Sequence, residues 1–244
     1  MTEELKKMYE TQLNDRLVNA GYSPYSYHDP IMCLPHGFSG DESKTKVLLV
    51  FDRVKWWGSV VPTWLKEKED NFDIEEVMKY YPPLLRKCDT FSAFYGSYQD
   101  HLVRELAKED SGYNVGILWT MIDKLHKDSW FGNREEMYFA EDINIDILQE
   151  EIRILNPDVI IFATKTSNNN GISDIKKIFW REKDVCLFVP IKEYNNMCIV
   201  SWEDLDKTIL YVPDSFPPEY HNMCNCIKEI VKNRHRHGNI QQHN

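Results

Sequence analysis

Side chains that could carry out chemistry cluster directly after the first strongly apolar run of the chain. The run Lys46–Phe51 is followed at once by Asp52, whose carboxylate could orient a water molecule for attack on a substrate. Trp57, in the same segment, could stack on a nucleobase beside the positive charge of Arg53, and such stacking contributes about 1–3 kcal/mol per base. The alternatives are that Asp52 caps a helix or braces a loop and that the tryptophan seals the edge of the core.

The cysteines and histidines near the end of the sequence lack the spacing of a metal site. Cys224 and Cys226 are separated by one residue within a predicted helix, which directs their thiols apart, whereas structural zinc sites use more widely spaced pairs on turns. His235 and His237 lie in a polar tail. The sequence also lacks the glycine-rich patterns of dinucleotide and P-loop sites and the nucleophile elbow of hydrolases. We therefore predict no metal and no cofactor.

The charge balance disfavours a protein that coats nucleic acid non-specifically. The 244 residues include 39 acidic and 29 basic side chains, a formal net charge of -10, whereas non-specific phosphate binding depends on clustered Lys and Arg. A local basic groove is still compatible with this charge. The six cysteines are mostly scattered, the first residues are charged, and no apolar run has the length of a membrane span. We expect a cytoplasmic protein with reduced thiols and no membrane partner.

Strand-like and helix-like segments alternate along the chain. Short apolar runs predict strands at Lys46–Phe51, Val115–Trp119, Val159–Thr164, Val185–Pro190, Met197–Trp202 and Lys207–Val212. Apolar residues at helical spacing predict helices at residues 1–20, Tyr98–Lys108, Ile145–Leu155, Ile172–Trp180 and Glu219–Lys232. This alternation predicts an α/β fold, a three-layer sandwich with a central, mostly parallel sheet flanked by helices.

No Gly/Ser-rich or Pro-rich linker and no internal repeat divides the sequence, so we predict one domain over residues 1–244. Residues 1–45 form an N-terminal helix and loop, residues 46–232 form the core, and residues 233–244 form a flexible tail. Ligands of parallel sheets bind beyond the carboxyl ends of the strands. The segments that could line such a site are Asp52–Ser59, Thr120–Lys127, Lys165–Gly171 and Pro213–Pro218.

Several segments, taken in chain order, resemble the uracil-DNA glycosylase superfamily. ILQEEIRILNPDVIIFAT (Ile147–Thr164) is similar to that family's acidic helix, Pro-Asp turn and buried strand. KVLLVFDRVKWWG is similar to its first strand and water-positioning loop, and FSAFYGSYQDHLVREL to the segment of its base-stacking aromatic residue. LWTMIDKLHK and LYVPDSFPPEYHNMCNCIKEIV are similar to its base-reading strand end and to its last strand, final loop and closing helix.

The resemblance implies a uracil-DNA glycosylase-like fold and a hydrolase of the DNA-repair type. It implies that Asp52 is the catalytic residue, positioning the attacking water, and that Phe91 stacks on the base; Phe91 as a core residue is the alternative. It places Met121 where the family has its base-reading asparagine, with Lys124 shortly after. Asp214 falls in the family's final loop.

The sequence departs from the family at the same positions. Met121 can pack against a base but cannot offer it a donor and an acceptor. Val212 stands in the His-Pro-Ser loop of the family, where it cannot stabilise charge on a departing base, and the loop after Phe51 lacks the family's Gly/Pro-rich form.

Two classes of function stay open. One is a divergent glycosylase-like enzyme that acts on a nucleobase in DNA or on a nucleotide. The other is a binding protein that keeps the fold without the chemistry, with nucleic acid, a small molecule or a protein as partner. Arg53, Lys55, Lys124 and Lys127 could form a positive rim for phosphates at the strand ends. The alternative is that these cations belong to an ordinary solvated surface.

Overall fold

The computed structural model describes residues 3–21, 34–35, 45–51, 115–122, 134–164, 178–179, 187–191, 194–201, 208–213, 225, 227–230 and 233. Helix α1 (Glu3–Glu10) continues as a π-helix (Thr11–Val18), and helix α2 spans Arg134–Leu155. Further helical residues lie at 178–179, 225, 227–230 and 233. The strands are β1 (Leu34–Pro35), β2 (Thr45–Phe51), β3 (Val115–Met121), β4 (Val159–Thr164), β5 (Leu187–Ile191), β6 (Tyr194–Ser201) and β7 (Thr208–Pro213).

The N-terminal helical segment packs one apolar face inward. Leu5, Met8 and Tyr9 are buried and recur at helical spacing. The segment ends before Gly21, whose φ of 83° lies in the left-handed region that glycine adopts without strain. Within the helix predicted over residues 1–20, residues 3–19 are helical as expected, but Thr11–Val18 has π rather than α geometry.

The strands form one seven-stranded sheet in the order β1-β3-β2-β4-β7-β6-β5. Its centre is parallel, because β2 pairs in parallel with both β3 and β4, and β4 pairs in parallel with β7. The strands at both sides run antiparallel: β1 against β3, β6 against β7 and β5 against β6. The predicted α/β fold with a parallel central sheet is confirmed at this level, but the described sheet as a whole is mixed, because three of its six strand pairings are antiparallel.

The parallel strands are buried on both faces. Four consecutive side chains of β2, Val47 to Val50, have 0% exposure, and the same is true of β4 from Val159 to Phe162. Successive side chains of a strand point to opposite faces, so each face of the sheet must be covered by other parts of the chain. Uninterrupted apolar runs such as VLLV and VIIF are the sequence pattern that this environment requires.

Helix α2 covers one of these faces. The Glu151 side chain of α2 contacts the Thr120 side chain of β3 at 2.7 Å. Strand register aligns Thr120 with Val50, Val50 with Phe162, and Phe162 with Tyr211. We call the face that carries these four side chains the α2 face. Met121, next to Thr120 along the strand, belongs to the opposite face.

Strand β5 is the last strand of the described sheet and contains Pro190. Proline lacks a backbone N–H and is confined to edge strands, bulges and strand starts for that reason. The register of β5 against β6 shifts between Pro190 and Ile191, as expected where a proline interrupts regular pairing.

Five of the six predicted strands differ from the observed strands at one or both ends, and Val159–Thr164 is observed with the predicted bounds. The largest difference at the candidate site concerns β3, which we expected to end at Trp119. It runs on to Met121 because β2 extends alongside it, and Phe51 pairs with Met121. Thr120 and Met121 are thus strand residues rather than the start of a loop. The predicted helix Tyr98–Lys108 lies outside the described residues, and those at Ile172–Trp180 and Glu219–Lys232 are described only in part.

Helix α2 begins at Arg134, well before the predicted start at Ile145, and ends at Leu155 as predicted. Asn156 follows with a φ of 44°, and its N–H donates to the Ile152 carbonyl at 3.0 Å. A left-handed residue directly after the last helical turn is a common way to end an α-helix. After this turn, Pro157 and Asp158 lead into β4.

Candidate functional site at the carboxyl edge of the sheet

The four parallel strands end at one edge of the sheet. Their last residues are Phe51 of β2, Met121 of β3, Thr164 of β4 and Pro213 of β7. Register pairs Phe51 with both Met121 and Ala163, and Thr164 with Pro213. The segments that leave these four ends therefore start in a row, about 4.8 Å apart from one strand to the next.

The sheet order defines where along this row a ligand crevice is expected. From β2 the chain moves to β3 on one side, and from β3 it moves to β4 on the other side of β2. The next strand after β4 is β5, which lies at the far end of the sheet from β3. The connections that leave β2 and β4 thus run in opposite directions along the sheet. In doubly wound sheets, a crevice opens between the carboxyl ends of two such strands. Phe51 and Thr164 are the residues at which the two strands enter that position.

Asp52 follows Phe51, the last residue of β2, directly in the chain. Asp214 follows Pro213 in the same way, and β7 is two strands away from β2. Asp52 and Asp214 themselves lie outside the described residues, as do the other predicted site residues Arg53, Trp57, Phe91 and Lys124. The roles of these residues stay predictions. The strand ends that lead to Asp52 and Asp214 lie on the same edge of the sheet.

Met121 is the predicted site residue that the structure describes. It is the last residue of β3, has 0% exposure, and belongs to the face opposite α2. Ile122, directly after it, is also buried at 6% exposure. The end of β3 is therefore apolar and buried, and it carries no amide that could read a base edge.

A buried polar cluster that we did not predict lies under the same strand end. The Glu151 carboxylate of α2 accepts a hydrogen bond from the Tyr9 hydroxyl at 2.5 Å and another from the Thr120 hydroxyl at 2.7 Å. All three residues have 0% exposure. We call Tyr9, Glu151 and Thr120 the buried triad.

Hydrogen bonding offsets the cost of placing this carboxyl group in the interior. A buried polar group without partners is strongly unfavourable, and hydroxyl donors to a carboxylate form short, strong hydrogen bonds. Side chains of an α-helix tilt toward its N-terminus, which at α2 is the end nearer the carboxyl edge of the sheet. This tilt lets Glu151, near the end of α2, reach Thr120, near the end of β3.

The sequence contains a signal for the buried triad. Within ILQEEIRIL, Glu151 lies four residues after Ile147 and directly before Ile152, which places it on the apolar face of the helix. Thr120 lies likewise inside an apolar run. A charged residue on an apolar helix face predicts a buried polar contact, although the spacing alone does not identify the partner.

Asp158 braces the opposite edge of the sheet, where the strands begin. Its Oδ2 accepts a hydrogen bond from the Lys46 N–H at 2.8 Å, and its own N–H donates to the Lys46 carbonyl at 2.9 Å. Its carbonyl accepts from the Thr208 N–H at 3.2 Å. One residue thus connects the starts of β2, β4 and β7, which gives the Asn-Pro-Asp turn a structural role away from the candidate site.

The outer surfaces of the two helices are joined by ion pairs. Arg16 of the π-helix contacts Asp146 of α2 and lies 5.8 Å from the centre of the Phe139 ring. Arg153 of α2 contacts Glu150 at 2.8 Å and Glu4 at 2.9 Å. The hydrogen bond to Glu150, and to a smaller extent the hydrogen bond to Glu4, raises the pKa of Arg153 above its ordinary value. These pairs are exposed or half-exposed and contribute little to stability.

Within the described part of the chain, no three His, Cys, Asp or Glu side chains are arranged to hold a metal ion. The cysteines and histidines considered for zinc, Cys224, Cys226, His235 and His237, lie outside that part. No helix within the described ranges combines the length and apolar character that crossing a membrane requires.

The carboxyl edge thus combines strand ends from four parallel strands, the buried apolar side chain of Met121 and a carboxylate that follows β2 in the sequence. Comparison with known proteins adds no assignment: no protein-family model matches the chain, and no curated protein is significantly similar to it.

Proposed function

We propose that this chain is a divergent uracil-DNA glycosylase-like protein that binds a nucleobase, in DNA or in a nucleotide, at the carboxyl edge of its sheet. The observation that carries the proposal is the sheet order, with a crevice position between the ends of β2 and β4 and Asp52 directly after β2. The helix α2, the Asn-Pro-Asp turn and β4 agree in order with the segment that resembles the family.

In the enzymatic form of the proposal, Asp52 orients a water molecule and accepts its proton. The water oxygen bonds to the sugar carbon, the bond between that carbon and the base nitrogen breaks, and the base leaves with the bonding electrons. A base in duplex DNA would first be flipped out of the stack, and Trp57 or Phe91 would stack on it. Arg53 and Lys124 would contact phosphate, and Asp214 would line the far side of the crevice.

The test is cleavage of duplexes that contain uracil, hypoxanthine or a methylated base, read as abasic sites. We expect Asp52→Asn to lower any such activity by about 10²–10⁴-fold, the usual contribution of a general base. Asp142→Asn is the matched control, because Asp142 is an exposed aspartate on α2. Activity that survives Asp52→Asn unchanged would contradict the catalytic role of Asp52.

The second candidate function is binding without catalysis, and Met121 favours it. The Met121 side chain at the end of β3 cannot offer a donor and an acceptor to a base edge, and Val212 in β7 cannot stabilise a leaving group. A protein with these residues can still bind a base by apolar contact and stacking.

Titration of labelled single- and double-stranded DNA at low and at physiological salt separates these cases. Binding that weakens steeply with salt supports contacts to phosphates by Arg53 and Lys124. Binding that is absent even at low salt excludes nucleic acid and leaves a small molecule or a protein as the partner. An abasic product in the cleavage assay would exclude the binding-only function.

A further inference from the structure

The N-terminal helical segment lies antiparallel along α2. Three contacts follow each other along the pair: Glu4 with Arg153, Tyr9 with Glu151, and Arg16 with Asp146. As the residue number rises in the first segment, it falls in α2. The two outer contacts are ion pairs at the surface, and the middle contact is completely buried.

The middle contact, unlike the outer two, belongs to a series of hydrogen bonds that reaches the sheet. Glu151 also accepts a hydrogen bond from Thr120, the second-last residue of β3. The N-terminal segment is thus connected through two hydrogen bonds of 2.5 and 2.7 Å to the end of a central strand. The Glu4–Arg153 pair ends at the outer surface of α2 and makes no such connection.

The end of β3 depends on few strand contacts. On one side it pairs with β2 along its whole length. On the other side it pairs with β1, which has two residues and reaches only Leu118 and Trp119. Beyond Trp119, therefore, the described strands support β3 from one side, and the buried triad adds a connection from the α2 face at Thr120.

We propose that α1 holds the carboxyl end of β3 in place through the buried triad, so that displacement of α1 loosens the strand end at Thr120 and Met121. The N-terminal helix then controls the edge at which the ligand binds; this last link rests on the proposed function. The coupling from α1 to β3 stands on the geometry of Tyr9, Glu151 and Thr120.

The test is hydrogen–deuterium exchange of the full chain, followed by mass spectrometry of peptides that cover β3 and β7. Tyr9→Phe keeps the buried ring and removes the hydroxyl that donates to Glu151. We expect exchange in Val115–Met121 to become about tenfold faster, which corresponds to about 1.4 kcal/mol. Exchange in Thr208–Pro213 is expected to stay unchanged, because β7 has no part in the buried triad.

Two matched variants control for the substitution and for the helix contact. Tyr138→Phe makes the same change at a tyrosine with 64% exposure, and Glu4→Gln weakens a surface contact between the same two helices. Neither is expected to change exchange in β3. Thr120→Val, which removes the other hydroxyl, is expected to reproduce the effect of Tyr9→Phe.

Equal acceleration in β3 and β7 would show general destabilisation and would overturn the proposal, as would unchanged exchange in β3. If Tyr9→Phe does not fold, unchanged exchange of β3 in Thr120→Val would still overturn the proposal. No ligand enters this measurement, so its result is independent of the cleavage and DNA-binding assays. A wild-type chain that binds no DNA could still show the coupling, and a chain that binds DNA could lack it.

Discussion

At the residue scale, the turn Asn156-Pro157-Asp158 shows how a few side chains fix the path of the chain. Asn156 adopts a φ of 44°, Pro157 is buried, and Asp158 contacts Lys46 and Thr208. The turn could be predicted from the sequence because asparagine, proline and aspartate each favour turn geometry. The three-strand contact of Asp158 could not, since β2 and β7 are distant in sequence.

Replacing Asn156 tests the backbone conformation directly. Alanine disfavours the left-handed region, so Asn156→Ala is expected to lower the free energy of unfolding by about 1–2 kcal/mol. Asn156→Gly, which adopts that region freely, is expected to lose less than half as much. The measurement is urea denaturation followed by circular dichroism.

Asn19 provides the matched control for this substitution. Its φ of -65° is in the right-handed region, and the residue is exposed, so Asn19→Ala is expected to leave the unfolding midpoint nearly unchanged. Equal losses for alanine at Asn156 and Asn19 would contradict a role for the left-handed conformation.

At the element scale, most strands were predictable, whereas strand β1 and some helical features were not. Buried runs such as VLLV and VIIF have an environment that requires apolar residues on both faces, so the sequence shows them directly. The π geometry of Thr11–Val18 was missed because π-helices are rare, so that helical spacing of apolar residues predicts an α-helix by default. Strand β1 was missed because two residues carry no periodicity, and it forms only through pairing with β3.

The contact between β4 and the helical residues at 178–179 allows a prediction at this scale. Phe162 and Phe179 meet edge to face, with ring centres 6.0 Å apart and planes at 81°. Such pairs contribute about 0.5–1.5 kcal/mol beyond their buried area. A double-mutant cycle with Phe162→Leu and Phe179→Leu is expected to give a coupling free energy in that range.

A cycle of Phe162→Leu with Tyr138→Leu is the control, because Tyr138 is exposed on α2. We expect those two effects to add within about 0.5 kcal/mol. Full additivity in the Phe162–Phe179 cycle would show that the ring geometry contributes nothing specific.

At the scale of the whole molecule, one sheet joins residues from Leu34 to Pro213. Strands that are distant in sequence are direct neighbours in it, as β2 and β4 are, so no part of the sheet can unfold without exposing its neighbours. The candidate site follows from the same order: topology places the starts of the Asp52 and Asp214 segments on one edge with Met121. The positions of Arg53, Trp57, Phe91 and Lys124 depend on loop conformations, which apolar periodicity does not specify.

The shared sheet predicts one cooperative unfolding transition. Far-UV circular dichroism and tryptophan fluorescence are expected to give the same urea midpoint, as they do for a single two-state domain. Repeating the titration at two protein concentrations controls for association. Two separate midpoints would contradict the single domain predicted for residues 1–244.

Pro190 in strand β5 bears on how folded molecules behave toward each other at high concentration. The outermost strand of a sheet offers a row of peptide groups on which a strand of another molecule can add, and this is a common route to aggregation. A proline at that position has no N–H to donate to an incoming strand, and the register shift beside it interrupts a regular pairing surface. Pro190, which makes β5 irregular within its own sheet, is therefore also expected to disfavour fibril-like stacking between copies of the chain at this edge.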